Sequence, residues 1–242
     1  MRIALAIGKQ VNNDPAKNLR MMEEMSYQAH LSKVDLIVFG EAFLQGFDGL
    51  NFKDFERDYS IALTETDDYI FRVKMLAVAM DVAIGFGYYE KDDGNIYASY
   101  MVIDKDGSVL SNYRRISVGW KKEFADERYK EGTSFEVFEF METKILVGIC
   151  GDFWNEDILT SLQTYDYDLV LWPNFIDYSP EQWLNKELGE YRKQCQKIGK
   201  EVILVNSIND ESKGSGGGFY VVDQEFIVNH PMEVMGISII DR

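Results

Sequence analysis

The sequence predicts an α/β fold organised as a single domain over residues 1–242. Three observations carry that expectation. Short, wholly apolar runs alternate with segments of helical periodicity, and two of those runs lead directly into a carboxylate, Glu41, and a thiol, Cys150. No Pro/Ser-rich linker, low-complexity tract or internal repeat divides the chain. With 46% hydrophobic residues, it also carries enough apolar material for a large core.

Ile3 to Ile7 is apolar throughout and stops at Gly8, the pattern of a strand covered on both faces. Asp14 before Pro15 suits a cap followed by a first helical position, and Leu19, Met22, Met25 and Ala29 then recur at helical spacing. That amphipathic helix returns the chain to Leu36–Phe39, a second buried strand ending at Gly40-Glu41. A carboxylate placed there emerges at the C-terminal edge of a sheet, where open α/β sheets gather their chemistry.

Tyr69 to Met80 reads as a helix and Val82 to Tyr89 as a strand. Asp92-Asp93-Gly94-Asn95 predicts a hairpin into Ile96–Ile103, and Asp106-Gly107 another into Val109–Arg115, which makes a meander. Strand-like runs follow at Phe135–Phe140 and Ile145–Ile149, the second delivering Cys150-Gly151-Asp152 at its end. The scheme then repeats: a helix from about Glu156 to Leu162, a strand at Leu169–Trp172, a long helix from about Glu181 to Ile198, and a strand at Val202–Val205. The closing part is β-rich, with Gly214–Gly218 read as a flexible turn before Phe219–Val222.

A net charge of −16 repels polyanions over most of the surface, so nucleic acid is excluded as a partner. Cys150 and Cys195 are too few to form a disulfide framework or a spaced ligand set, which fits a reducing, intracellular setting. Neither a signal-peptide core nor an apolar stretch of membrane-spanning length is present, so the expected location is the cytoplasm, with no membrane partner.

Cys150 needs a proton acceptor or a positive field, because the thiolate is the nucleophile and the free thiol ionises only near pH 8.5. Gly151 after it permits a sharp turn and lets a backbone N–H approach a reacting oxygen. His30, at the end of the first helical pattern, and His230, before Pro231, are poorly placed to serve. Glu41, beside the apolar Ala42-Phe43-Leu44, can accept the proton if burial raises its pKa. Trp172, Phe175, Tyr178 and Trp183 read as core or contact aromatics before pocket walls, and Cys195 as helix packing.

The ordered set Gly40-Glu41-Ala-Phe, Tyr113-Arg114-Arg115, Asp126-Glu127-Arg-Tyr and Gly148-Ile-Cys150-Gly-Asp152, with Trp172-Pro173-Asn174 and Val205-Asn206-Ser207, resembles the nitrilase, or carbon–nitrogen hydrolase, superfamily. The resemblance runs from Ile3 to about Val228. It implies an α-β-β-α sandwich, an amidase-like activity through a thioester on cysteine, and no metal or organic cofactor. It also implies a homodimer or higher homo-oligomer and a small amide or carbamoyl substrate. Carried over by position, Glu41 is the general base, Cys150 the nucleophile, Gly151 the oxyanion donor and Glu127 a second, supporting glutamate. Trp154, Trp172 and Asn174 fall on the substrate side.

Cys150-Gly151-Asp152 departs from the Cys-Trp-Glu of nitrile hydrolysers and favours an amide, while Cys150–Trp154 is similar to the glutamine-hydrolysing domain of NAD synthetases. One departure bears on activity itself. Arg115 stands where the family has its catalytic lysine. Arg115 itself, Lys121 or Lys122 is left to supply the cation, and the other reading is an impaired family member acting as a binding or assembly protein.

Overall fold

The computed structural model describes all residues, 1–242. The first half runs β1 (Arg2–Ile7), α1 (Pro15–Leu31), β2 (Leu36–Val38), α2 (Phe55–Ile61), α3 (Asp68–Met80), β3 (Ala83–Asp92), β4 (Asn95–Ile103) and β5 (Val109–Arg114). The second continues through β6 (Val137–Phe140), β7 (Thr143–Val147), α4 (Glu156–Ser161), β8 (Leu169–Asn174), α5 (Pro180–Gln182), a π turn at Trp183–Glu187 and α6 (Leu188–Ile198). Next come β9 (Glu201–Asn206), β10 (Ile208–Asn209), β11 (Gly214–Ser215), β12 (Gly218–Val222), β13 (Glu225–His230) and β14 (Gly236–Asp241).

These strands build two six-stranded sheets, ordered β14-β1-β2-β3-β4-β5 and β13-β12-β9-β8-β7-β6. Each has a parallel centre, β1-β2-β3 in one and β7-β8-β9 in the other, flanked by antiparallel strands. Strand alternation assigns the layers. Ile3, Leu5 and Ile7 of β1 face the second sheet in the larger core, whereas Ala4 and Ala6 face Leu19, Met22 and Met25 of α1 and Ile70, Val73 and Ala77 of α3. Trp183, Tyr191, Cys195 and Ile198 pack on the second sheet from the far side. The result is the α-β-β-α sandwich.

The local signals act as read. Asp14 caps α1 by accepting from the Lys17 N–H at 2.9 Å, with Pro15 opening the helix. The β3–β4 hairpin pairs Asp92 with Asn95, and its turn residues Asp93 and Gly94 have φ of 45° and 75°. Cys195 is buried packing. His30 hydrogen-bonds the Met80 carbonyl, and His230 bridges Ser238 and Val234.

Two expectations are corrected. Gly214–Gly218 is no flexible turn: all five residues are buried, and β11 pairs with β10. The glycines serve close packing, since a Cβ on Gly214 would meet the Phe175 ring at 2.9 Å. Phe55–Ile61, without an expected element, forms a helix because the Asp54 side chain accepts from Arg57 N–H at its start.

Candidate active site

Glu41 follows β2, where the chain turns across the middle of β3. Gly87 makes that crossing possible, because a Cβ there would lie 2.3 Å from the Ala42 nitrogen and 2.8 Å from Glu41 Cα. Backbone bonds fix the crossing: Gly87 N–H donates to the Gly40 carbonyl at 3.2 Å and Leu44 N–H to the Gly87 carbonyl at 3.1 Å. Tyr100 O–H holds the Phe39 carbonyl from below at 2.9 Å. Glu41 is thereby buried at the junction of the two sheets, and its N–H reaches the Asn174 carbonyl of β8 at 3.4 Å.

Cys150 opens a 3₁₀ turn, Cys150–Trp154, just beyond β7. Its φ is +44°, in the left-handed region that costs a non-glycine residue of order 1–3 kcal/mol. The turn is held against that strain from both sides. Trp172 Nε1 donates to the Cys150 carbonyl at 2.9 Å, and the Gln194 side chain of α6 donates to the Phe153 carbonyl. Cys150 as a residue is partly exposed, unlike the buried Cys195.

Arg115 completes the group. Its Nη1 donates to Glu41 Oε1 at 2.8 Å and its Nε to Ser117 Oγ at 2.9 Å, and the pair is buried, with side-chain exposures of 5% and 4%. The second Glu41 oxygen receives no N–H or O–H donor, and the Cys150 thiol lies beside the carboxylate. Burial raises the Glu41 pKa above its ordinary value, with Arg115 pulling the other way. Burial first, and then the Glu41 charge, pushes the Cys150 thiol up to about 12, while Arg115 and the Phe175 N–H favour the thiolate. Burial alone would lower the Arg115 pKa, but the charges of Glu41, Cys150 and Asp152 outweigh it, so the guanidinium stays charged.

Asp152 joins the two halves of this arrangement. Fully buried, it accepts from Tyr113 O–H at 2.7 Å, Ile116 N–H at 3.1 Å, Ser117 N–H at 2.7 Å and Ile149 N–H at 2.7 Å. One carboxylate thus clamps the segment carrying Arg115 to the turn carrying Cys150. Asp152→Asn removes charge-assisted bonds and leaves donors opposed, so stability is expected to fall by about 3 kcal/mol in a denaturant titration.

The thiol gives a second expectation. Its folded pKa lies above its unfolded one, so it contributes stability that is complete below the ordinary thiol range and is lost as pH rises toward about 12. Wild type should lose more stability than Cys150→Ala between neutral pH and pH 10, as read from melting curves; the buried tyrosines weigh on both proteins alike.

Of the residues singled out from the sequence, the structure brings Glu41, Cys150 and Arg115 together, but not the rest of the set. Glu127 is exposed and outside the group, because neighbouring Arg128 closes on Asp126 at 3.0 Å and over the Phe55 ring at 3.5 Å, turning the loop outward. Lys121 is taken by Glu131 at 2.9 Å and by the Tyr129 carbonyl, and Lys122 is exposed. Trp172 and Asn174 have no exposed surface to offer a substrate and stand behind the site as supports. Trp154 is 41% exposed and packs on Tyr191 at 4.9 Å between ring centres. Asp152 and Gly87 were missed as supports, although the Asp of Cys-Gly-Asp and a glycine inside a strand were both visible signals.

Comparisons with known proteins bear on the fold and the family. A solved amidase from Nesterenkonia sp. AN1 shares the fold, with a TM-score of 0.81 at 16% identity over 100% of this chain and 93% of that one. Citrullinase of Francisella tularensis is 25% identical over 70% of this chain, which spans only 59% of its length. N-carbamoylputrescine amidase of Arabidopsis thaliana is 24% identical over 79% of this chain and 69% of its own. The carbon-nitrogen hydrolase family model matches residues 2–196, so the chain belongs to the carbon-nitrogen hydrolase family.

Proposed function

We propose that the protein hydrolyses a small amide or carbamoyl compound through a thioester on Cys150. The observation that carries this reading is the buried contact of Glu41 with Arg115 at 2.8 Å beside the thiol of Cys150, a residue held on a strained turn. Glu41 takes the thiol proton as sulfur bonds to the carbonyl carbon, and the oxyanion is held by Arg115 and the Gly151 N–H. Collapse breaks the C–N bond, with Glu41 returning its proton to the departing ammonia or amine. Water, deprotonated by the same carboxylate, then cleaves the thioester to release the acid and restore the thiol.

Arg115 reaches Glu41, where a permanent cation can serve the oxyanion, and this favours an enzyme over a binding protein that has lost its chemistry. Two relatives are named for ureido compounds, N-carbamoylputrescine and citrulline, which supports testing carbamoyl amines beside ω-amides and glutamine. We place the protein in the cytoplasm as one hydrolase domain that assembles as a homodimer or higher homo-oligomer. Its helices offer no membrane span, since none is long and apolar enough to cross a bilayer.

The test is ammonia release from a panel of glutamine, ω-amidated dicarboxylic acids and N-carbamoyl amines. Wild type is expected to turn over at least one class and Cys150→Ala none. Equal release by both proteins would end the proposal.

A further inference from the structure

The sequence reads Gly151 as a residue of backbone freedom that permits a sharp turn, and the structure corrects that expectation. Its φ is not in the left-handed region, so a larger residue would meet no conformational penalty. What stands in the way is the cation. A Cβ at Gly151 would lie 2.4 Å from Arg115 Nη2, 3.4 Å from Arg115 Cζ and 3.0 Å from Ser117 Oγ. The guanidinium therefore occupies the volume that a side chain at position 151 would fill.

That volume cannot be recovered by a small shift of Arg115. Its Nη1 is committed to Glu41, its Nε is bonded to Ser117 Oγ, and Ser117 is in turn fixed by its N–H to Asp152. The planar fork is rigid, so moving Nη2 away from Gly151 swings the other nitrogens off Glu41 and Ser117. An ammonium on an unbranched stem has no second nitrogen to place there.

We propose that Gly151 is a positioning residue whose missing side chain makes room for Arg115, so that glycine at 151 and arginine at 115 form one size-matched unit. The consequence, which rests on the hydrolase reading for its functional half, is that residue 151 decides which cation the site can hold. Arginine demands glycine, whereas with lysine only the Ser117 hydroxyl, released from Nε and free to rotate, stands near a methyl group.

The experiment is a double-mutant cycle of wild type, Gly151→Ala, Arg115→Lys and Gly151→Ala/Arg115→Lys. Three quantities are read: melting temperature, alkylation of Cys150 by iodoacetamide followed by peptide mass, and ammonia release. Buried Cys195 serves as the slow internal reference. Gly151→Ala alone should lower the melting temperature and slow Cys150 alkylation by about tenfold, because contacting residues couple and the thiolate loses its cation. In the Arg115→Lys background the same substitution should cost little in either readout, and hydrolysis should be partly regained relative to Gly151→Ala.

Equal penalties in both backgrounds would overturn the proposal. If Gly151→Ala does not fold, soluble yield replaces melting: recovery on adding Arg115→Lys supports the unit, and an equally poor yield in the double variant overturns it. Coupling in melting and alkylation without ammonia release from any of the four proteins would support the packing while rejecting the hydrolase reading.

Discussion

Glu41→Gln is expected to abolish most hydrolysis while leaving the thiol reactive. The substitution keeps shape and removes the group that carries the proton, so ammonia release should fall by about 10²–10⁴-fold, the range for loss of a general base. The sulfur responds in the opposite direction. The Glu41 charge is one of the causes holding the thiol up at about 12, and Arg115, freed of its partner, favours the thiolate more strongly. Alkylation of Cys150 by iodoacetamide at neutral pH should therefore be as fast as in wild type or faster. A merely structural carboxylate would lower both rates together. Stopped-time peptide mass measurements alongside ammonia release separate the two cases.

Arg115→Met is expected to damage activity and stability at once. Loss of one oxyanion donor removes about 10²–10³-fold in kcat, and breaking a buried pair from one side costs about 3–5 kcal/mol, because the Glu41 carboxylate is left buried without its counter-ion. Glu41 responds by holding its proton more tightly, since burial already raises its pKa and Arg115 is the largest opposing cause. A folded pKa raised further above the unfolded one means stability that is complete below the ordinary carboxylate range and lost as pH rises through the new value. The variant should thus be closer to wild type in mildly acidic buffer than at neutral pH, and the acid limb of any remaining activity should move up. Arg115→Lys keeps a cation at the pair and should lose less on both counts.

How far these groups could be read in advance depended on the kind of signal each leaves. β1, β2, β7 and β8 are central parallel strands covered on both faces, and such strands leave continuous apolar runs in the sequence. Glu41 and Cys150 were legible because each directly follows one of those runs. Helix α2 was not, since it is short, is started by the Asp54 cap, and buries only Phe55 and Asp58.

The cation was the hard case. Arg115, Lys121 and Lys122 lie within one loop, and which of them reaches Glu41 is settled by distant groups: Asp152 gripping Ile116 and Ser117, and Glu131 holding Lys121. No local pattern encodes that choice. Glu127 failed for the converse reason, because its neighbours Asp126 and Arg128 formed a local pair that the surrounding motif did not reveal. The burial of Trp172 and Asn174 likewise follows from β8 lying inside the second sheet, a tertiary fact.

The account stands on covalent chemistry at one sulfur. During turnover of an amide that releases ammonia, acid quenching and peptide mapping should find the acyl mass on the Cys150 peptide, removed by hydroxylamine as a thioester is and not found in Cys150→Ala. Sustained turnover with Cys150 unmodified, or with the acyl group on another residue, would contradict it.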